Sequence, residues 1–142
     1  MSHEIIEPFI RRGAGKPKGK LAKSDFVKVE SLALTRKGIA DLVAISGLSG
    51  LTALSLNDND IVDLKPLAGL TKLELLLLQG NRISNIKPLA GLTQLTQLNL
   101  SRNQVSTLTS LSGLDRLKRL NLINNQITNL RPLAKLKSLE SL

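Results

Sequence analysis

Apolar and polar positions repeat along this chain every 22 residues. Residues 51–72 read LTALSLNDNDIVDLKPLAGLTK and residues 73–94 read LELLLLQGNRISNIKPLAGLTQ. Residues 95–116 read LTQLNLSRNQVSTLTSLSGLDR and residues 117–138 read LKRLNLINNQITNLRPLAKLKS. Each block holds Asn at the same place: Asn59, Asn81, Asn103 and Asn125. A fixed period of this length predicts a solenoid, with one supersecondary unit per turn and a core completed only when turns stack. The pairs Leu54/Leu56, Leu76/Leu78, Leu98/Leu100 and Leu120/Leu122 alternate with period two, so each pair points to one side of a short strand. Strands in equivalent places pair turn upon turn into a parallel sheet along the axis. The Asn then turns the chain, because a buried amide both donates and accepts and can satisfy backbone groups of successive turns. The Ile/Val at 61, 83, 105 and 127 and the Ile/Leu at 64, 86, 108 and 130 carry the apolar stripe round the back. Pro66, Pro88 and Pro132 predict a short 3₁₀ turn that returns the chain.

The frame reaches further at both ends. Val29, Leu32, Leu34, Ile39, Leu42, Ile45 and Leu48 fall on its apolar positions, with Lys37 where Asn belongs, which marks a degenerate first repeat. The expected organisation is a cap over residues 1–28, then repeats at 29–50, 51–72, 73–94, 95–116 and 117–138, with a sixth beginning at 139–142. In the cap, residues 2–12 read as an amphipathic helix with Ser2 as N-cap and Ile6, Phe9 and Ile10 on one face. Pro8 predicts a late start or a kink. A Gly/Pro/Lys loop spans 13–20, and a second short helix over roughly 22–27 offers Phe26 and Val27 for burial. The chain stops in mid-frame at Leu139-Glu140-Ser141-Leu142, with no polar cap in the sequence. A fragment of a longer protein, a designed or trimmed chain, and self-association through that end all fit this pattern.

Composition narrows the chemistry. With 142 residues, no Cys and a single His, the chain offers no disulfide framework and no thiolate or imidazole metal site, and no cofactor is expected. Two Phe, with no Tyr or Trp, make the core aliphatic and remove the aromatic platforms that single-stranded nucleic acid favours. No apolar run suffices for a membrane span and no signal pattern opens the chain, so a cytoplasmic location is the default, with a secreted or surface location open to a mature fragment. The formal charge is +9: seven Lys/Arg against three Asp/Glu up to residue 28, and thirteen against eight thereafter. Ala14-Gly15-Lys16-Pro17-Lys18-Gly19-Lys20-Leu21 resembles a phosphate-binding loop only superficially. Leu21 stands where Ser/Thr is required, and no strand precedes it. Asp58, Asp60 and Asp63 cluster in one repeat only and read as turn features. No nucleophile has a base, so no enzyme is expected.

The frame LxxLxLxxNxIxxLxPLAxLxx closely resembles the 22-residue leucine-rich repeats of bacterial internalin-like proteins and of the leucine-rich regulatory subunit of protein phosphatase-1. The N-terminal part is similar to the helical cap of such proteins, through Ile10-Arg11-Arg12, Gly15-Lys16-Pro17-Lys18-Gly19, Leu21 and Lys23-Ser24-Asp25. Ser110 for Pro, Lys135 for Gly, and Gly13 in the cap helix depart from the pattern. The resemblance implies an α/β fold, a right-handed leucine-rich-repeat solenoid with a parallel concave sheet and 3₁₀ turns on the convex side.

It also implies that the strand positions facing away from the core line a concave binding surface. These are Ser55 and Asn57; Leu75, Leu77 and Gln79; Gln97, Asn99 and Ser101; and Arg119, Asn121 and Ile123, with Arg102 beside them. Leu75, Leu77 and Ile123 are expected to be exposed there, and exposed apolar residues mark interfaces. Arg102, Lys118 and Arg119 suggest a positive flank and a protein partner with acidic groups. Nucleic-acid or other polyanion binding through the basic surface, and a purely structural scaffold, are the rival readings.

Overall fold

The computed structural model describes residues 2–142. Five short strands, β1 (Ser31–Ala33), β2 (Ala53–Ser55), β3 (Leu75–Leu77), β4 (Gln97–Asn99) and β5 (Arg119–Asn121), form one parallel sheet in sequence order. Every register is a shift of one repeat, so Leu32, Leu54, Leu76, Leu98 and Leu120 stand in a single row. Ser141 forms a parallel bridge with Arg119, where a sixth turn begins. On the opposite side lie five 3₁₀ turns, at Val43–Ile45, Lys65–Leu67, Lys87–Leu89, Thr109–Leu111 and Arg131–Lys135. The fourth forms without its proline, and the fifth runs two residues longer where Lys135 replaces Gly.

The seven apolar positions of the frame are buried throughout the first four turns, as in the run Leu51, Leu54, Leu56, Ile61, Leu64, Leu67 and Leu70. Behind the sheet the asparagines make a ladder. Asn103 Oδ1 accepts the Ile83 N–H at 3.0 Å, and its Nδ2 donates to Leu78 O at 2.9 Å and Leu100 O at 3.0 Å. Asn59, Asn81 and Asn125 repeat these contacts with their own neighbours. In the first turn, where Lys37 replaces Asn, Asn59 Oδ1 accepts both the Lys37 and the Ile39 N–H at 3.0 Å. The Lys37 ammonium instead lies 5.5 Å from the centre of the Phe9 ring.

Helix α1 (Ser2–Gly13) seals the N-terminal end by packing Ile6 and Ile10 against the first turn, with Ala14 buried just beyond it. Phe9 is only partly buried. The helix runs through Pro8, since the packed apolar face and the Glu7–Arg11 pair at 2.7 Å hold both sides of it. Ser2 is already helical. Its hydroxyl accepts the Ala40 and Asp41 N–H groups at 3.4 and 3.3 Å instead of capping the helix. Helix α2 is confined to Lys23–Phe26, and Val27, expected in the core, is 51% exposed, because the buried place is taken by Asp25. The Asp25 carboxylate accepts the Ala22 N–H at 2.8 Å and the Lys16 ammonium at 2.9 Å. Lys16 of the lysine-rich loop therefore serves the cap. Its hydrogen bond, followed by that from Ala22, holds the Asp25 carboxyl below the usual aspartate range.

Candidate functional site

The strand positions that face away from the core align in rows across the sheet. One row reads Ser31, Ala53, Leu75, Gln97, Arg119 and the next Ala33, Ser55, Leu77, Asn99, Asn121. Small residues floor the first two turns, two leucines stand at the middle, and amides with one arginine occupy the last two. Leu75 and Leu77 are half-buried, not fully exposed, because flanking strands cover their sides; Ile123, on the last turn, is 66% exposed.

The amides fold down onto the loops that follow the strands. Asn57 Oδ1 accepts the Gln79 N–H at 2.9 Å, and Asn121 Oδ1 accepts the Ile123 N–H at 3.0 Å. Asn99 Oδ1 accepts both the N–H and the hydroxyl of Ser101, at 2.9 and 2.7 Å. That contact draws Ser101 down to 5% exposure, so it supports the surface without presenting a side chain to a partner. Thr35 and Ser55 join hydroxyl to hydroxyl at 3.0 Å. Gln97, Asn99, Arg119, Asn121 and Ile123 surround a hollow of about 260 Å³ at the C-terminal end of the face. A larger hollow, about 740 Å³, lies away from the sheet on the outer side of α1 beside Glu7 and Arg11, which pair with each other.

The positive flank is weaker than its residue count suggests. Arg102 reaches Asp58 at 3.5 Å, and Arg36 reaches the other oxygen of the same carboxylate at 3.4 Å. Lys118 lies 3.8 Å from Glu140, which leaves Arg119 as the concave-face cation without an ion pair among the described residues. The three clustered aspartates take separate structural partners: Asp58 these two arginines, Asp60 the Arg82 guanidinium at 2.9 Å, and Asp63 the Lys65 N–H at 2.9 Å. Among the described residues no group of three His, Asp or Glu side chains could hold a metal.

One feature of this rim escapes the sequence. Arg36, Asp58, Gly80, Arg102 and Asn124, each at the same frame position, all adopt positive φ, between 54° and 67°. Three of the five are types that tolerate this conformation, which was the available signal; the arginines concealed it.

The family described as Leucine Rich repeats (2 copies) matches residues 71–113. Internalin C2 of Listeria monocytogenes superimposes on 96% of the chain with a TM-score of 0.92 at 34% identity. The chain is a leucine-rich-repeat solenoid similar to the internalins. Internalin F of the same organism covers 96% of this internalin-like chain with a TM-score of 0.89 at 29% identity. The chain spans 62% of the length of the first and 43% of the second. A plant peptide hormone receptor, RGFR1, solved in complex with RGF2, matches 70% of the internalin-like chain with a TM-score of 0.63 at 30% identity, over 17% of its own length. A comparison with curated proteins gives no match.

Proposed function

We propose that the concave strand face is the surface on which this chain binds a partner protein, with Leu75 and Leu77 as its apolar anchor and Arg119 as its charged contact. The leucine-rich-repeat fold is a protein-interaction scaffold, and the receptor complex among its structural neighbours carries a partner. The observation that supports this face is the placement of two leucines on one strand, in rows otherwise built of small and polar residues. Buried apolar anchors ringed by polar groups dominate the energy of protein interfaces. Arg119, without an ion pair among the described residues and beside an amide-lined hollow, suits an acidic or carbonyl-bearing group on the partner. The chain acts here as a binding module with no chemical step of its own.

The experiment is capture from nuclease-treated host lysate with the tagged chain, its Leu77→Glu variant and its Arg119→Glu variant. A discrete protein retained by the parent, lost with Leu77→Glu and weakened with Arg119→Glu, is the expected result. Retention unchanged by Leu77→Glu would refute the concave face as the binding surface.

A further inference from the structure

The net charge is not spread evenly round the solenoid. On the concave rim a single carboxylate, Asp58, engages two arginines. In the cap, Lys16 is engaged by Asp25, and in the first turn Lys37 lies over Phe9. Arg12, Lys18, Lys20 and Lys23 of the cap lack a carboxylate within ion-pair distance among the described residues, but they fall at no repeating position. The convex turns are different. Lys65, Lys87 and Arg131 occupy one frame position, the first residue of their 3₁₀ turns, and all three are exposed. Lys135 lies at the end of the last of these turns, and Lys72, Arg116 and Lys137 sit in the bends that follow. None of these cations has a carboxylate within ion-pair distance among the described residues. Asp63, Glu74, Asp115 and Glu140 are the acids nearby in sequence; Asp63 is already accepting the Lys65 N–H, and Glu140 lies by Lys118.

The same device fixes all three cations, with Thr109 at their frame position in the turn between Lys87 and Arg131. Asp63, Asn85 and Asn129 accept the backbone N–H of Lys65, Lys87 and Arg131 at 2.9, 3.1 and 3.0 Å. These Asx turns set the backbone from which each cation projects. Successive turns of such a solenoid are about 5 Å apart, so Lys65 and Lys87 are stacked like charges with nothing between them. An anion lying along the row would relieve that repulsion. The surface has neither an aromatic side chain for a base to stack on nor a contiguous apolar anchor for a protein interface: Val43, Val62 and Leu130 are exposed singly, in separate turns.

We propose that the convex row led by Lys65, Lys87 and Arg131 is a docking surface for a base-free linear polyanion that lies along the solenoid axis and is held by charge alone. It is separate from the concave face and does not depend on the reading of that face.

The test uses fluorescently labelled long-chain inorganic polyphosphate and the full chain, titrated over a series of salt concentrations starting near 50 mM, where phosphate contacts are strong. The parent is expected to bind, and the variant Lys65→Glu/Lys87→Glu/Arg131→Glu to bind at least tenfold more weakly. The slope of log Kd against log salt should become shallower by roughly two to three, about one per lost contact. Leu77→Glu should bind as the parent does. If the triple glutamate variant fails to fold by circular dichroism, the glutamine versions at the same positions carry the test, with the same change of slope expected. Absence of binding by the parent overturns the proposal. So does undiminished binding by a folded triple variant, an equal loss on replacing Lys18, Lys20 and Lys23 of the cap by Glu, or tighter binding of a single-stranded oligonucleotide than of polyphosphate.

Discussion

Replacing Asn103 by Ala measures the strength of the amide ladder. The side chain is buried and joins two turns: it accepts from Ile83 and donates to Leu78, Leu100 and Ser101. Its removal does not orphan all four partners. Leu78 O still receives Asn81 Nδ2, Leu100 O still receives Asn125 Nδ2, and Ser101 O still receives the Gly80 N–H. The Ile83 N–H alone is left buried without an acceptor, at about 1–3 kcal/mol, and the two lost amide donations add about 1 kcal/mol each. The expected cost is therefore about 4 kcal/mol, within roughly 3–5, a large share of the about 5–15 kcal/mol that holds a domain together. Urea unfolding followed by circular dichroism gives the value, with an unchanged m required for a simple reading. Asn85→Ala is the control. Asn85 is exposed and accepts only the Lys87 N–H, so it should cost below about 1 kcal/mol. Equal costs for the two asparagines, or less than about 1 kcal/mol for Asn103, would refute the account of the ladder as the tie between turns.

Three further outcomes follow from the packing. Gly50→Ala should destabilise by about 3 kcal/mol or more in thermal or urea unfolding, since a Cβ there would lie 2.0 Å from the backbone oxygen of Val27. Ser110→Pro should raise the urea midpoint by about 0.4–1 kcal/mol equivalent, because Pro66, Pro88 and Pro132 already fit the same place in three of the other four 3₁₀ turns and the Ser110 N–H has no acceptor among the described residues. The Asp25 carboxyl titrates below its unfolded value, so its contribution is complete above the ordinary aspartate range and is lost as pH falls through the folded value. Unfolding measured from neutral pH to about pH 2 should show this acid loss in the parent and a smaller one in Lys16→Met, which removes the main cause of the shift.

The repeat unit was legible because each turn has the same three demands. Two leucines must face inward from a strand, one amide must satisfy backbone left open by the bend, and apolar residues must line the return. Side-chain identity at those places is dictated by burial, so it recurs at period 22, and strands, core and 3₁₀ turns stand where the period puts them. The cap was less legible, since it is built once and has no period. Val27 looked like core by type alone, whereas the buried place went to Asp25 through a charge partner nine residues away. On the concave face, Ser101 follows the outward alternation and is nevertheless buried, because Asn99 bends over it. Alternation predicts where a side chain starts, not which neighbour covers it.

The rim turn shows the same limit from the backbone side, and it yields a contrast that can be measured. Its five residues share one conformation but no residue type, so the period is invisible there. Arg36 and Arg102 bear an unfavourable φ costing about 1 kcal/mol each, while Gly80 bears none. Gly80 also keeps space clear for its neighbour, since a Cβ at that position would lie 2.3 Å from Asp58 Oδ1, the oxygen that reaches over to Arg102. Arg102→Gly should relieve backbone strain by about the amount lost with an exposed ion pair, about 0–1 kcal/mol, and leave stability nearly unchanged. Gly80→Ala, a smaller change in size, should cost well above 1 kcal/mol, because it adds strain and displaces Asp58 at once. Paired thermal unfolding of the two variants decides it: a Gly80→Ala midpoint as high as that of Arg102→Gly would mean the rim turn tolerates a side chain at every rung.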